Sequence, residues 1–483
     1  MRERAGYIPD IGTEQFELKT MVFEGKNKKL EVEIPLLTNE QMNLIIDKVK
    51  KSSAEVLKGF KVSEILDIVD RVIEKLLDRN SAFRKKAEEL LPIVTGYDRE
   101  MIGLGLTSYL KNFRKPQLQR FLAEDFPNPL VLDEFQPQVK RGFSKAVGPD
   151  LILHIWAGNV PALPLWSLIS GLLVKSGTIG KTASAEPLFA GWFAQLLTEM
   201  EPRLADCLAV VWWKGGDEER EKLVLRKSDA IVAYGSNYSL ESLAKRVPIT
   251  SRFLPFGHKI SFGIVSNISL DSRKAWDTAH RAALDVVRYD QQGCYSPHLF
   301  YIQKGGAVSP QEFARFLANE LDNFEKRYPR RSLSLEEESE IAAWRNSAEL
   351  SLYTDESKEL IGNSNHSWTV VYEGESGHFS PVCLNRTVKV IPYNDPAEIL
   401  FQIAPHRRFL QTVGVACSPA ELFEMAKGLT EAGVTRITGL GSMASPEPGW
   451  HHDGRFSLAD LVQMVDIEHS AEELAEIYAP YLD

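Results

Sequence analysis

LILHIWAGNVPALPLWSLISGLLV, residues 151–174, is the stretch of sequence that decides the fold. It contains no aspartate, glutamate, lysine or arginine, a composition that is compatible with a membrane span. Gly158, Pro161 and Pro164 interrupt it, however, and leave a strand-length segment and a helix too short to cross a bilayer. We therefore predict a buried strand, a turn and a buried helix, with no membrane span.

The alternation of strand and helix continues beyond this stretch. Further β-rich apolar segments, each separated from the next by a helical pattern, lie at 178–183, 208–213 and 229–235. Such alternation predicts parallel strands joined by crossover helices, and hence an α/β protein with a doubly wound parallel sheet. Ligands bind beyond the carboxyl ends of such strands, where residues 158–162, 181–186 and 235–239 fall. A second βα-rich block follows, from about residue 275 to 439.

The segment RYDQQGCYSPHLFYI, residues 288–302, places a lone cysteine, Cys294, in a polar turn. Helically spaced apolar residues precede it and a β-rich run follows Pro297, so we expect a loop between a helix and a strand. Its glutamine, glycine and serine neighbours are turn-forming types that leave a thiol accessible. Free cysteines are usually inert packing residues, so position alone leaves both a nucleophile and a core residue open.

The composition is that of an ordinary globular protein of 483 residues with a net charge of −10, which disfavours binding to nucleic acid. Four widely spaced cysteines without a CxxC pair indicate neither a disulfide framework nor a zinc site, and a reducing cytoplasm is the expected location. The charged N-terminus argues against export. His451 and His452 stand beside Asp453, but no third ligand is spaced near them, so we predict no metal site.

No GxGxxG fingerprint follows the first strand of the sheet, so a nucleotide would be held by other features. Lys181, at a strand end, can reach a ribose or phosphate oxygen. Gly235 and Ser236 precede a helix whose N-terminal amides favour an anion, and Phe379 can pack against a flat ring. Each feature alone is common in structural turns, and only together do they indicate a cofactor site.

Five short motifs occur in an order that resembles the aldehyde dehydrogenase superfamily. They are AGNVP, GKTAS, AYGSN, GCYSP and HFSPV, at residues 157–161, 180–184, 233–237, 293–297 and 378–382. DQQGCYSPH at 290–298 and WHHDGRFSLADLVQMVDIE at 450–468 resemble the LuxC family of acyl-CoA reductases within it. The resemblance implies an aldehyde dehydrogenase-like fold, with an N-terminal segment and doubly wound cofactor-binding domain (1–265), a second α/β catalytic domain with the thiol (266–440) and a C-terminal segment that packs back (441–483).

The resemblance also implies a role for each candidate residue. Cys294 matches the nucleophile that holds the acyl group as a thioester. Asn159 matches the asparagine that donates to the oxyanion beside the backbone N–H of Cys294. The implied cofactor contacts are Lys181 at the adenosine ribose, Gly235 and Ser236 at the pyrophosphate, and Phe379 at the nicotinamide ribose.

Three departures from the superfamily pattern affect the chemistry. The run LPFGHK at 254–259 lacks the glutamate that activates water, so a thioester would survive long enough to be reduced. His258 in this run is a candidate proton donor to the departing thiol or aldehyde. Ser184 stands where NAD-preferring members carry a glutamate, which leaves room for a 2′-phosphate and favours NADPH as the cofactor. Gly377 replaces a second glutamate, expected two residues before Phe379.

The resemblance therefore implies NADPH-dependent reduction of long-chain acyl groups to fatty aldehyde, for luminescence or for lipid metabolism. The acyl donor would be acyl-CoA or a partner acyl-protein synthetase. A homo-oligomer is expected, because residues 126–135 and 141–149 indicate a hairpin where superfamily members make subunit contacts. Three other functions stay open: a short-chain CoA-acylating aldehyde dehydrogenase, a cofactor-independent thioesterase or acyltransferase, and a non-catalytic scaffold.

Overall fold

A computed structural model of the chain describes residues 1–12, 15–25 and 28–480. The strands are β1 (Arg2–Arg4), β2 (Glu17–Gly25), β3 (Lys28–Leu36), β4 (Gln136–Pro137), β5 (Phe143–Val147), β6 (Leu151–Ile155), β7 (Gly177–Lys181), β8 (Leu208–Val211), β9 (Ala230–Tyr234), β10 (Arg252–Phe256), β11 (Ile260–Val265), β12 (Pro297–Gln303), β13 (Glu359–Gly362), β14 (Thr369–Tyr372), β15 (Thr387–Tyr393), β16 (Leu410–Ala416), β17 (Arg436–Gly439) and β18 (Gln463–Ile467). The α-helices are α1 (Asn39–Glu55), α2 (Val62–Leu77), α3 (Ala82–Thr95), α4 (Arg99–Leu110), α5 (Lys115–Asp125), α6 (Pro164–Leu173), α7 (Phe189–Met200), α8 (Glu218–Lys227), α9 (Asn237–Ala244), α10 (Ala275–Val287), α11 (Pro310–Arg327), α12 (Leu335–Leu352), α13 (Pro396–Ile403), α14 (Pro419–Glu431) and α15 (His469–Ile477).

Strand β6, from the stretch that decides the fold, lies at the centre of a parallel sheet of order β10-β9-β6-β7-β8. Helices cover both faces, so its alternate residues enter two different cores: Ile152 packs with α6 and α7, and Leu153 with α1, α8 and α9. This arrangement confirms the predicted doubly wound fold. Within the described ranges, no helix is both long enough and apolar enough to cross a membrane.

The second sheet has the order β13-β14-β15-β12-β11-β16-β17, and within it β13 runs antiparallel to its neighbour. Helices α10 and α11 pack on one face, and α13 and α14 pack on the other. Strand β11 pairs with β12 and β16 here, although the predicted division assigns residues up to 265 to the first domain. The chain therefore passes from one sheet to the other directly after β10, ahead of the predicted boundary.

The C-terminal segment returns to the first domain through a small antiparallel sheet of order β18-β5-β4. Gln463 lies opposite Val147, and Ile467 lies opposite Phe143. The residues directly before β18 are also fixed to this domain, because the Arg252 guanidinium at the start of β10 donates to the carbonyl oxygens of Asp460 and Val462. Strands β1, β2 and β3 form a separate N-terminal sheet.

Candidate active site

A cavity of about 920 Å³ lies between the two sheets. The ends of β9 and β10 border it on one side, through Tyr234 and Phe256. The starts of β11 and β12 border it on the other, through Ile260 and His298. Helices α4, α5 and α6 and the C-terminal residues 444–461 supply much of the remaining wall. The carboxyl ends of the first sheet therefore face the amino ends of the second across this space.

Cys294 lines this cavity from a turn between α10 and β12, which is the predicted position. Three residues of the same turn have left-handed backbones: φ is 52° at Tyr289, 48° at Asp290 and 64° at Gln291. Each such non-glycine residue costs roughly 1–3 kcal/mol, so the conformation persists only where surrounding contacts impose it.

Buried polar contacts impose that conformation. The Asp290 carboxylate accepts a hydrogen bond of 2.6 Å from Nε of Arg386, and both side chains are no more than 2% exposed. The Gln291 side-chain amide donates to the carbonyl oxygens of Pro297 (2.7 Å) and Thr387 (2.9 Å). These side chains are buried and cannot exchange their hydrogen bonds for bonds to water. They therefore fix the backbone that carries the thiol.

Polar groups from three other segments surround the Cys294 residue. Ser261 Oγ donates to its carbonyl oxygen (2.8 Å), Gln411 Nε2 donates to its sulfur (3.4 Å), and His452 Nε2 lies 3.8 Å from the sulfur. Burial raises the pKa of Cys294 to about 11, and the Gln411 hydrogen bond opposes that rise. The thiol is protonated at neutral pH, so its use as a nucleophile requires a proton acceptor.

His452 lies within a cluster of aromatic rings. Its imidazole is 4.5 Å from the ring of Phe256 and 4.8 Å from that of Trp450, measured between centroids. Burial lowers the pKa of His452, whereas the neighbouring Asp453 carboxylate acts in the opposite direction. Asp453 in turn accepts a hydrogen bond of 2.6 Å from Gln411 Nε2. The thiol, the imidazole, the amide and the carboxylate thus form one connected group.

Asn159 lies on the cavity wall close to the thiol turn. Its Nδ2 donates to the carbonyl oxygen of Gln292 at 2.6 Å. The Tyr97 hydroxyl lies 3.0 Å from the carbonyl oxygens of both Asn159 and Tyr289, and so ties the two loops together. An amide nitrogen carries two hydrogens, which leaves one N–H of Asn159 for a ligand oxygen.

Gly235 and Ser236 line the cavity at the end of β9. Ser236 caps α9, and its hydroxyl accepts from the backbone N–H of Ser239. A Cβ placed on Gly235 would meet only the Cβ of Ser239, at 3.8 Å, so a ligand can approach this backbone closely. His258 lines the same cavity, and its backbone N–H donates to Asn237.

The structure thus brings several of the predicted site residues around one cavity, namely Asn159, Gly235, Ser236, His258 and Cys294. Three other predicted cofactor contacts lie outside its wall. Lys181 ends β7 with its Nζ 5.4 Å from the ring centroid of Trp213. Ser184 Oγ accepts from Trp212 Nε1 at 3.1 Å, and Phe379 is packed in the core beneath the second sheet.

Two residues at the thiol have contacts that the sequence did not predict. In the sequence, His452 stands out only as one of two adjacent histidines without a third metal ligand nearby. Within the part of the chain that the structure describes, no group of three or more His, Cys, Asp or Glu side chains could hold a metal ion. The motif of His452 at 450–468 carried the family resemblance and was the available signal. Gln411, on β16, had no signal, because a single glutamine in a strand has no distinguishing pattern.

Comparison with known proteins gives the family. The LuxC family model, described as acyl-CoA reductase, matches residues 57–464. "Long-chain acyl-protein thioester reductase 2" of Photobacterium leiognathi is 24% identical over 443 residues, which are 90% of this chain and 87% of that relative.

Solved structures of aldehyde dehydrogenases share the fold. Aldehyde dehydrogenase 21 from Physcomitrella patens superposes with a TM-score of 0.75 at 13% identity, over 97% of this chain and 98% of that one. The glyceraldehyde-3-phosphate dehydrogenase GapN from Methanocaldococcus jannaschii, complexed with NADP, gives 0.69 at 15% identity, over 94% and 99%. The chain belongs to the LuxC family of acyl-CoA reductases, which places it among the oxidoreductases of acyl and aldehyde groups with the aldehyde dehydrogenase fold.

Proposed function

We propose that this protein reduces long-chain acyl thioesters to fatty aldehydes with NADPH, through an acyl-cysteine at Cys294. The observation that carries the proposal is the position of this thiol, in a cavity with an apolar wall on one side and the loop of Gly235 and Ser236 on the other. An acyl group on the sulfur can extend along the apolar wall while a hydride donor approaches from the loop.

The apolar wall supports a long acyl chain. It is formed by side chains of α4, α5, α6, the loop before α6 and the C-terminal segment, among them Tyr109, Phe121, Val160, Leu163, Trp166 and Leu461. The cavity volume of about 920 Å³ lies near the upper end of the usual range for ligand pockets. A two-carbon acyl group would leave most of this apolar surface in contact with water, which disfavours the short-chain alternative.

The proposed chemistry has two stages. In the first, the Cys294 sulfur bonds to the acyl carbon and the bond from that carbon to the donor sulfur breaks, while Asn159 and the backbone N–H of Cys294 donate to the carbonyl oxygen as it becomes negative. A bound reduced nicotinamide supplies the hydride for the second. The thiohemiacetal on Cys294 then releases aldehyde and regenerates the thiol, with one NADPH and one proton consumed per aldehyde.

The run at 254–259 supports reduction over hydrolysis. Leu254, Phe256, Gly257, His258 and Lys259 all line the cavity, and the run contains no carboxylate to activate water. This disfavours the thioesterase alternative. We propose His258 as a candidate proton donor to the product aldehyde.

The residues around the first sheet fit a phosphorylated dinucleotide. Gly235 and the N-terminus of α9 would receive the pyrophosphate. Ser184 accepts from Trp212 through a lone pair, so its own O–H stays free to donate to a 2′-phosphate. Lys181, at the end of β7, would supply a nearby positive charge. GapN of Methanocaldococcus jannaschii, which shares the fold, is complexed with NADP, in line with the proposed choice of cofactor.

We propose that the acyl group arrives on a partner acyl-protein synthetase. The Photobacterium relative is named for a protein-bound thioester, and acyl-CoA presents the same reactive carbon. We also propose that the protein forms a homo-oligomer, because four apolar side chains are exposed in or beside the sheet of β4, β5 and β18: Met464 and Val465 of β18, and Phe135 and Val139 on either side of β4. The four cysteines, all within the described residues, are free thiols, which suits the proposed cytoplasmic location.

Intact-protein mass spectrometry tests the proposal. The wild type and Cys294→Ala are incubated with tetradecanoyl-CoA without cofactor, and NADPH is then added. We expect one acyl adduct on the wild type, none on the variant, and conversion of the adduct to aldehyde after NADPH. Loss of the adduct as free acid without NADPH would favour a thioesterase, and faster turnover of acetyl-CoA would favour the short-chain enzyme.

A further inference from the structure

We propose that His452 is a catalytic residue, which takes the proton of Cys294 during acyl transfer and returns it to the departing thiol. The inference rests on the proposed function and adds the acid–base group that it lacks. His452 Nε2 lies 3.8 Å from the Cys294 sulfur, within reach for a hydrogen bond to sulfur. His258 lines the same cavity, but within the described residues it makes no hydrogen bond to that sulfur.

Gln411 fixes the geometry of this pair. An ionised carboxylate only accepts hydrogen bonds, so the contact of 2.6 Å with Asp453 must come from the amide nitrogen of Gln411. The same nitrogen lies 3.4 Å from the Cys294 sulfur, and its second hydrogen therefore points at the sulfur. A donor in this place stabilises the thiolate more than the thiol. Gln411 is fully buried on β16, so it is held rigidly as a positioning residue.

The surroundings of His452 favour a neutral imidazole before the reaction and can stabilise an imidazolium that forms during it. Burial lowers the pKa of its imidazole, so the ring can accept a proton at neutral pH. The Phe256 ring stacks on the imidazole and the Trp450 ring lies tilted beside it, and both would stabilise the imidazolium by cation–π interaction. The titratable and charged groups that face this imidazole are Asp453, Lys259, Arg436, Cys294 and Tyr234.

The proton balance closes within the pair. The S–H proton of Cys294 moves to His452 Nε2, and the sulfur lone pair forms the bond to the acyl carbon. When the carbonyl re-forms, the bond from that carbon to the donor sulfur breaks, and the expelled thiolate takes the proton from His452. The imidazole is neutral again, the acyl group is on Cys294, and no oxidant or reductant has been used.

The test measures alkylation of Cys294 by iodoacetamide in the full-length protein, with peptide mass spectrometry to locate the label. Between about pH 5 and 9, we expect the wild-type rate to rise through the titration of His452 and then to level off. In His452→Gln the inflection disappears, and the rate at neutral pH falls roughly a hundredfold. Single-turnover acylation by tetradecanoyl-CoA falls by a similar factor.

His451→Gln is the matched control. His451 is the neighbouring residue, undergoes the same substitution, and packs against Phe456 with its ring edge-on. This variant should keep the wild-type pH profile. Asp453→Asn serves as a second variant that retains the imidazole: because Asp453 favours the imidazolium, its neutralisation should move the inflection to lower pH.

Wild-type alkylation rates in folded His452→Gln across the whole pH range would overturn the proposal. So would an unshifted inflection in folded Asp453→Asn. If the proposed function alone is wrong, the wild type will still show the pH-dependent alkylation that His452→Gln lacks, but it will form no acyl adduct with any thioester.

Discussion

Arg386→Met should strongly destabilise the turn that carries Cys294. The Arg386 guanidinium is 1% exposed and donates to Asp290 (2.6 Å), Glu325 (2.7 Å) and the carbonyl oxygen of Tyr328 (2.7 Å). Methionine fills much of the same volume but leaves the Asp290 carboxylate buried without its cation. Breaking such a pair from one side costs about 3–5 kcal/mol. The strained turn of three left-handed residues also loses one of the contacts that impose its conformation.

Urea unfolding of Arg386→Met, Asp290→Asn and the double variant measures this effect as a double-mutant cycle. We expect a coupling energy of about 2–3 kcal/mol, because the double variant, unlike Arg386→Met alone, leaves no unpaired buried charge at position 290. Acylation of Cys294 should fall in parallel. Arg281→Met is the control, since Arg281 contacts Asp277 at 2.7 Å but both side chains are more than half exposed. It should cost at most about 0.5 kcal/mol. Additive effects in the cycle, or a loss for Arg386→Met no larger than that of the control, would refute the reasoning.

Three further substitutions test the other parts of the site. Asn159→Ala should slow acylation of Cys294 roughly a hundredfold to a thousandfold, yet leave iodoacetamide labelling at the wild-type rate; equal losses in both would mean that Asn159 only shapes the loop. Ser184→Glu should lower kcat/KM for NADPH relative to NADH by more than roughly tenfold through charge repulsion, and an unchanged ratio would place the 2′-phosphate elsewhere. Trp166→Ala should raise kcat/KM for longer acyl chains relative to shorter ones by roughly tenfold, and an unchanged chain-length profile would contradict the proposed path of the acyl group.

The order of strands and helices could be predicted because it is encoded by residues that are close together in the chain. Gly158, Pro161 and Pro164 divide an apolar run at the points where β6 ends and α6 begins. The turn at Cys294 was predictable for the same reason, since its polar neighbours interrupt two apolar segments. The sheet to which β11 belongs was not predictable, because strand pairing depends on residues distant in the chain, such as Leu299 of β12 and Val413 of β16.

The contacts of the thiol illustrate this limit more strongly. His452 is 158 residues and Gln411 117 residues from Cys294 along the chain, and each reaches the thiol only because the two sheets and the C-terminal segment fold together. Periodicity identifies buried faces but not the partners across a cavity. Phe379 shows the converse case: an aromatic residue in a recognised motif lies in the core of the second domain, with Phe262 and His406 as ring neighbours, and outside the cavity wall.

The raised pKa of Cys294 has a functional consequence when it is combined with the neighbouring imidazole. A thiol with a pKa of about 11 is protonated at rest and therefore reacts slowly with oxidants and stray electrophiles. In the proposed mechanism the proton leaves as an electrophilic carbon comes against the sulfur, because burial disfavours a charge on the His452 imidazole in the absence of a reaction. Reactivity is thus coupled to occupancy of the acyl site. A surface cysteine with a low pKa would be the faster nucleophile, but any electrophile or oxidant in solution could react with it. A cysteine buried beside a neutral base reacts more slowly, but it reacts selectively with the thioester that fits the cavity.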